Sequence, residues 1–210
     1  MNGMVDIMDI EGFVLTGGAS SRMGRDKSQM TVGGKRFSER AAAALIKVCG
    51  HHVSFVGGNG TQSEPDFAVL SDLRLGGRDL PRAPIVGLCT ALTYAKTSWI
   101  AILACDLPLV TGDLIARLVG YCSDEFDAIV PVQPDSIRQP LCSLYRRDSC
   151  LPVIESVISE GDLKMQNLTA LIRTRFVQFD EISDLEGAAN FFFNVNKPED
   201  YRSALTMAVS

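Results

Sequence analysis

A glycine-rich, cationic segment near the start of the chain combines residue types that could bind an anion. It reads LTGGASSRMGRDK over residues 15–27. Gly17 and Gly18 have no Cβ, so their backbone amides can approach an anion closely, and successive amides in such a turn can hold phosphate oxygens. Three cations follow: Arg22, Arg25 and Lys27. The spacing is neither that of a P-loop nor that of a dinucleotide fingerprint. The residues alone therefore indicate either a different phosphate site or an exposed turn with solvated cations.

A second candidate is the acid that ends an apolar run. The run WIAILACD, residues 99–106, is nearly continuously apolar up to Asp106, which is typical of a central parallel strand. Mg²⁺ prefers oxygen ligands and keeps several waters, so one carboxylate at a strand end can hold it. Pro108 would keep the chain from turning directly into a helix. The alternative is that Asp106 is a helix N-cap or a turn former.

Alternating strands and helices must position these two segments. We predict strands at 12–15, 52–58, 67–72, 99–106, 126–132, 139–147 and 174–180. We predict helices at 39–49, 85–96, 112–122, 151–159 and 197–209, and an exposed mobile loop at 73–84. The alternation implies an α/β fold with a mostly parallel central sheet and helices on both faces. Ligands of such sheets bind beyond the carboxyl ends of the strands. The glycine-rich segment begins at such an end, and Asp106 lies at another.

The composition excludes several classes of protein. The net charge is −5, whereas general nucleic-acid binders carry a basic surplus that neutralises phosphates. No apolar run approaches the roughly 18–20 residues that span a bilayer, and the first 21 residues contain no Lys or Arg, unlike a secretory signal. We expect a cytoplasmic protein whose six cysteines are free thiols in the core. The absence of CxxC and the presence of only His51 and His52 argue against a zinc site and a Cys–His catalytic pair.

Five segments together, in order along nearly the whole chain, resemble a known family. LTGGASSRMGRDK resembles the signature L-[AT]-G-G-x-S-x-R-M-G-x-D-K of nucleotidyltransferases with a glycosyltransferase-A-like fold, and is most similar to that of the molybdenum cofactor guanylyltransferase family. The later segments are SDLRLGGRDLPRAPIVGL (71–88), ILACDLPLV (102–110), QPLCSLY (139–145) and FFNVNKPEDY (192–201). They resemble that family's acidic residue with a GPLAG-like stretch, its C-D-x-P metal motif, its HPL-type substrate segment and its F-x-N-V-N-T-P-E-[DE] ending.

The resemblance implies a three-layer, Rossmann-like nucleotidyltransferase fold in a single domain over residues 1–210, with a nucleotide half at about 10–110 and a pterin half at about 111–210. It implies that the nucleotide is bound by Leu15, Thr16, Gly17, Gly18, Lys27, Asp72 and Asp106. Arg22, Lys27 and Asp106 would be catalytic, with Asp106 binding Mg²⁺. Asn194 and Asn196 would face the pterin substrate or the metal.

The implied reaction transfers GMP from GTP to the terminal phosphate of molybdenum-molybdopterin and releases pyrophosphate, with Mg²⁺ as cofactor. The attacking phosphate is already an anion, so no serine, cysteine or histidine is needed to activate it. The barrier is the approach of two anions, which cations and aligned dipoles lower. As further partners the resemblance suggests proteins that deliver molybdopterin or mature molybdoenzymes, and neither nucleic acid nor a membrane.

The chain departs from the family pattern at several positions, and these leave other activities open. Thr16 stands where alanine is commonest, Gln139 replaces a histidine, and Lys164 stands where an arginine is expected. Residues 56–59 lack an N-x-N-R-like base contact, and PIVG (84–87) replaces PLAG. Base selection depends on such hydrogen-bonding groups. The alternatives are a related transferase that uses CTP or a sugar phosphate acceptor, and a non-catalytic nucleotide- or cofactor-binding module.

Overall fold

The computed structural model describes residues 10–16, 27–57, 67–75, 78–81 and 83–208. The strands are β1 (Ile10–Leu15), β2 (Thr31–Val32), β3 (Lys35–Arg36), β4 (Val53–Val56), β5 (Ala68–Leu70), β6 (Arg74–Leu75), β7 (Arg78–Asp79), β8 (Trp99–Ala104), β9 (Ala128–Pro131), β10 (Cys142–Arg146) and β11 (Thr174–Val177). The α-helices are α1 (Phe37–Cys49), α2 (Pro84–Tyr94), α3 (Gly112–Val119), α4 (Arg147–Ser159), α5 (Met165–Leu171) and α6 (Pro198–Met207).

A seven-stranded sheet in the order β11-β9-β10-β8-β1-β4-β5 forms the centre of the fold. Only β10 runs antiparallel to its neighbours β8 and β9; the other strand pairs of this sheet are parallel. In the β1–β8 register Leu15 lies opposite Ala104, so these two strands end level with each other. The predicted α/β fold with a mostly parallel sheet is therefore confirmed.

Two apolar layers cover the two faces of the sheet, as the buried strands require. One core cluster joins the sheet to α1 and α3, and the other joins it to α2, α4 and α5. All six residues of β8 are buried, because a central parallel strand is covered on both faces. The two helices of the first layer approach closely at Gly112, where a Cβ would lie 2.6 Å from the Cβ of Lys47.

The structure differs from the predicted elements in four short regions. Residues 73–84, predicted to be a mobile loop, contain the antiparallel hairpin β6–β7. A second hairpin, β2–β3, turns through Gly33 and Gly34 at φ of 59° and 76°. These values favour glycine, and two adjacent glycines between short strands are typical of such a turn. Helix α5 was not predicted, and α4 begins at Arg147 rather than at residue 151.

The prediction for the cysteines agrees with the structure, since all six are buried free thiols. His51 and His52 are exposed. Phe191 and Phe192 are buried in the core beneath the segment that follows them. Among the helices of the described residues, none has the length and apolar character needed to cross a lipid bilayer.

Candidate active site

The carboxyl ends of β1, β4 and β8 are joined by backbone hydrogen bonds that continue past the strands. Cys105 N–H donates to the Leu15 carbonyl over 3.1 Å, and Thr16 N–H donates to the Val56 carbonyl over 2.9 Å. Asp106 follows Cys105 immediately. The acid predicted as a metal ligand and the start of the glycine-rich segment therefore lie side by side at one edge of the sheet.

Lys27 brings the other end of the glycine-rich segment back to this edge. Its Nζ lies 3.7 Å from Oδ2 of Asp106, and the Lys27 and Asp106 side chains are 17% and 27% exposed. Lys27 begins a 3-10 helix, Lys27–Gln29, whose following residue Met30 donates its N–H to the Lys27 carbonyl. An ammonium group and a carboxylate separated by 79 residues in the chain thus share one partly open site.

The pKa of Asp106 is raised above its ordinary value, chiefly because burial disfavours the charged form. Lys27 and a hydrogen bond with the Asn194 side chain act in the opposite direction but do not cancel this effect. The negative charge at Asp106 is therefore only partly compensated by the protein. A further cation at this carboxylate would complete the compensation.

The segment N-V-N, residues 194–196, supplies the third side of the cluster. Val195 N–H donates to the Asp106 carbonyl over 3.0 Å, while the Val195 side chain is fully buried. Asn194 and Asn196 are both exposed, as expected of alternate residues in an extended segment. Asn196 Oδ1 accepts a hydrogen bond of 2.7 Å from Lys27 Nζ. The two amides predicted to be functional therefore contact the pair: Asn194 contacts Asp106, and Asn196 contacts Lys27.

Leu15 and Thr16 are buried at the same edge, and their side chains serve the fold. The Leu15 side chain packs against Gly87 of α2, where a Cβ would lie 3.3 Å from Leu15 Cδ2. The Thr16 hydroxyl lies 3.1 and 3.2 Å from the carbonyls of Val56 and Gly57, to which it can donate. The threonine found in place of the commonest alanine therefore links the end of β1 to the end of β4.

The other predicted site residues fall into two groups. Asp72 is exposed two residues beyond β5, three strands away from β8. At about 4.8 Å per strand, β5 lies roughly 14 Å from β8 across the sheet. Gly17, Gly18 and Arg22 lie outside the described residues.

The segment 139–145 lies next to Asp106 on the other side of β8. Ala104 N–H donates to the Leu141 carbonyl over 2.8 Å. Gln139, which replaces the usual histidine, is half-buried, and its carbonyl accepts the Ser143 hydroxyl over 2.6 Å. Lys164 is exposed at the start of α5. Residues 139–141 therefore lie beside the carboxyl end of β8, next to the turn that contains Asp106.

Of the two alternative interpretations of Asp106, the helix N-cap is wrong, whereas its place in a turn is observed. The residue before α3 is Thr111, and Asp106 lies within a turn in which Leu107 N–H donates to the Ala104 carbonyl over 3.3 Å. Within the described residues, no group of three or more His, Cys, Asp and Glu side chains is placed to hold a metal ion.

Sequence reasoning missed a residue that supports this edge from α1. Arg40 Nε donates to the Pro108 carbonyl over 2.6 Å, and its Nη1 donates to the Val32 carbonyl over 3.4 Å. Burial lowers the pKa of Arg40. One guanidinium thus connects the loop after Asp106 with the hairpin after Lys27. No local motif predicts these contacts, because the partners of Arg40 are backbone carbonyls distant in the chain.

Comparisons with known proteins bear on the family and the fold of this chain. The model of the MobA-like NTP transferase domain matches residues 12–178. A probable molybdenum cofactor guanylyltransferase of Pelotomaculum thermopropionicum is 29% identical over 202 residues, which cover 96% of this chain and 95% of that protein. Molybdopterin-guanine dinucleotide biosynthesis protein A from Archaeoglobus fulgidus has a similar fold, with a TM-score of 0.75 and 22% identity over 95% of this chain and 98% of that one.

The same fold also occurs in a transferase that is named for a different substrate. The 2-C-methyl-D-erythritol 4-phosphate cytidylyltransferase from Thermus thermophilus superposes with a TM-score of 0.71 at 15% identity, over 97% of this chain and 100% of that one. The fold by itself therefore does not select the nucleotide. Because the family model covers most of its length, the chain belongs to the family of MobA-like NTP transferase domains and is a nucleotidyltransferase.

Proposed function

We propose that the protein transfers GMP from GTP to molybdenum-molybdopterin, forming the molybdopterin guanine dinucleotide cofactor and pyrophosphate, with Mg²⁺ as cofactor. The observation that carries this proposal is the cluster of Lys27, Asp106 and Asn196 at the carboxyl edge of the sheet, in a chain whose similar relatives are named molybdenum cofactor guanylyltransferases. Parallel sheets bind ligands at this edge.

The reaction requires charge stabilisation rather than a protein nucleophile. An oxygen of the acceptor phosphate forms a bond to the α-phosphorus of GTP, and the bond from that phosphorus to the bridging oxygen of the leaving pyrophosphate breaks. Negative charge increases on the leaving group, where a positioned ammonium group stabilises it. Lys27 can supply that charge because its partner Asn196 is neutral and Asp106 lies 3.7 Å away. Holding both anions at one edge also removes the entropic cost of their encounter.

The donor atoms at Asp106 suit Mg²⁺. The carboxylate is partly exposed, and burial raises its pKa more than Lys27 and the neighbouring hydrogen bonds lower it. Oxygen is the ligand that this hard ion prefers, whereas the neighbouring Cys105 offers a thiol that does not suit it. When bound, Mg²⁺ would neutralise charge on the triphosphate oxygens. Asp106 would contribute one ligand, and phosphate oxygens and water the others.

The remaining assignments belong to the same proposal. The backbone of Leu15 and Thr16, continuing into Gly17 and Gly18, would bind the nucleotide, with Arg22 on its triphosphate. Asp72, at the far end of the same edge, would lie near the guanine or the ribose, and Asn194 would face the pterin side. In this arrangement residues 10–110 serve the nucleotide and residues 111–210 the acceptor within one domain.

Two further expectations concern the cellular setting of the reaction. The buried free cysteines suit a reducing compartment, which supports the cytoplasm as its location. Proteins that deliver molybdopterin or accept the finished dinucleotide cofactor would be the partners in that compartment.

The test is a matrix of nucleotides and acceptor. Purified protein would be incubated with GTP, CTP, ATP or UTP, each with and without molybdenum-molybdopterin and Mg²⁺, and pyrophosphate release would be measured. We expect release only when GTP and the acceptor are both present, and loss of release when EDTA removes divalent ions. Release with CTP and not with GTP would replace the proposal by a cytidylyl transfer. No release with any nucleotide would favour a non-catalytic binding module.

A further inference from the structure

We infer that Asp200 is a positioning residue for this reaction: its carboxylate fixes Asn196, and through Asn196 the ammonium group of Lys27 beside Asp106. The inference rests on the proposed function, since it concerns the same site. Asp200 lies in the first turn of α6. Its hydrogen bonds go to the backbone of Asn196 and Lys197 rather than to Lys27 or Asp106.

The Asp200 carboxylate holds the chain where N-V-N leads into α6. Its Oδ2 accepts the N–H groups of Asn196 and Lys197 over 2.9 and 2.8 Å. The first N–H groups of a helix have no partner within the helix, and the next residue, Pro198, has no N–H at all. One oxygen of Asp200 therefore determines how residues 196 and 197 enter the helix.

The same short segment makes both contacts to the reactive pair. Val195 N–H donates to the Asp106 carbonyl over 3.0 Å, and Asn196 Oδ1 accepts from Lys27 Nζ over 2.7 Å. The Asn196 side chain is exposed, so packing does not hold its rotamer. Its backbone anchor at Asp200 thus sets the position of the amide oxygen, and that oxygen orients Lys27.

The next residue of α6 fixes the helix to the segment that carries Lys27. The Tyr201 hydroxyl donates to the Thr31 carbonyl over 2.7 Å, and its ring lies 6.2 Å from that of buried Phe37. Thr31 is four residues after Lys27. Asp200 and Tyr201 therefore connect α6 to both sides of the Lys27–Asn196 hydrogen bond.

A purely structural role for Asp200 predicts different behaviour, and the chain offers a matched control. Glu181 Oε2 accepts the N–H of Gln178 over 2.8 Å at the start of the 3-10 helix Phe179–Glu181. This helix follows the edge strand β11, several strands away from β8. Glu181→Ala removes the same kind of backbone contact together with the ion pair between Glu181 and Arg175, and neither contact involves residues 194–196.

The first measurement separates turnover from binding. For Asp200→Ala we expect kcat of pyrophosphate release to fall about tenfold with KM for the nucleotide changed less than about threefold, since Lys27 acts mainly on transition-state charge. Asp200→Asn should restore most of the rate, because one amide oxygen can accept both N–H groups. Glu181→Ala should keep the wild-type kcat. Equal effects of Asp200→Ala and Glu181→Ala on kcat would overturn the inference.

The second measurement does not depend on catalysis. Acetylation of lysines by acetic anhydride would be followed by peptide mass spectrometry, with exposed Lys35 as internal reference. The Lys27 amine should react several times faster in Asp200→Ala than in the wild type, and at the wild-type rate in Asp200→Asn and Glu181→Ala. If the wild-type protein releases no pyrophosphate, the proposed function fails and this readout alone decides the inference. Unchanged Lys27 reactivity in Asp200→Ala would overturn it.

Discussion

Asp106 and Asp127 lie at opposite edges of the same sheet. Each contacts a cation among the described residues, and their surroundings shift their pKa values in opposite directions. Asp106 follows the carboxyl end of β8, and Asp127 precedes the amino end of β9. Hydrogen bonds from the Arg173 side chain are the main cause that lowers the pKa of Asp127 to about 2. Burial raises the pKa of Asp106 despite Lys27.

The geometry of the two cations explains the difference. Arg173 donates from Nε and Nη2 to the two carboxylate oxygens of Asp127 over 2.9 and 2.7 Å, and its backbone N–H adds a third bond over 3.1 Å. A planar guanidinium matches a carboxylate in this way, and an ammonium group does not. Lys27 stays 3.7 Å from Asp106 and donates to Asn196 instead. The Asp127 charge is satisfied within the fold, whereas the Asp106 charge remains available to a ligand.

Asp106→Asn should show the largest effect on turnover. It distinguishes Asp106 from Asp127, whose substitution should leave turnover unchanged. We expect pyrophosphate release to fall by about 10³-fold, because the ligand for the cation is lost. The melting temperature should hardly change, since burial already disfavours the charge that the substitution removes. Asp127→Asn is the control and should keep the wild-type kcat per folded molecule. Near-normal turnover in Asp106→Asn would remove the metal assignment.

Lys27→Met should show the next largest effect and tests the cations instead of the acids. Loss of the ammonium group from the site should lower kcat by about 10²-fold, with little change in the thermal unfolding midpoint. Arg173→Met is the counterpart: it should lower the midpoint and leave kcat unaffected. A large loss of stability in Lys27→Met, with the rate retained, would mean that Lys27 belongs to the fold rather than to the chemistry.

Asp127→Asn should lower the free energy of unfolding at pH 7 by about 1–2 kcal/mol. This range is smaller than the pKa shift of Asp127 alone would give, because solvent screens the pair. The Arg173 side chain is 60% exposed, although that of Asp127 is only 8% exposed. Urea denaturation of the wild type and the variant would measure the difference. No measurable difference would show that the pair contributes as little as an exposed surface pair.

The same pair predicts a pH dependence with a definite sign. The folded-state pKa of Asp127 is lowered from its ordinary 3.8 to about 2, so the unfolded chain binds the proton more readily. The stabilisation is then complete above about pH 4 and is lost as the pH falls towards 2. The difference in unfolding free energy between wild type and Asp127→Asn should shrink through this window. A constant difference from pH 7 to pH 2 would contradict the assignment.

Asp113→Asn should show the smallest effect and provides a baseline for both pairs. Asp113 forms an ion pair with Lys47 in which the side chains are 60% and 52% exposed. Exposed pairs of this kind contribute about 0.2–1 kcal/mol. We expect a stability change near the lower end of that range and an unchanged kcat. A loss as large as that of Asp127→Asn would show that burial does not distinguish these pairs.

Local pattern indicated the segments around Asp106 more clearly than it indicated the Asp127–Arg173 pair. The glycine-rich segment, Asp106 and the N-V-N segment are each unusual over a few residues, and each lies at a strand end or loop of the predicted alternation. Asp127 and Arg173 are ordinary residues separated by 46 positions, so no pattern connects them. The strands of β2–β3 have two residues each, too few to show a period of two.

One contact of the inferred positioning residue could have been predicted from sequence. Pro198 followed by Asp200 is typical of a helix start with an acid in its first turn. The consequence of that contact for Lys27 could not, because Lys27 and Asn196 are 169 residues apart. The same holds for Arg40, whose partners are backbone carbonyls brought near by folding.

The sequence by itself determined the mostly parallel α/β fold and the segments that meet at its carboxyl edge, because alternating apolar periods and the direction of parallel strands follow from local order along the chain. Only the tertiary structure decided which carboxylate charges are incompletely compensated by neighbouring groups. That outcome depends on burial and on distances between residues far apart in sequence, such as 3.7 Å from Lys27 to Asp106 and 2.7 Å from Arg173 to Asp127, and electrostatic energies vary steeply with both.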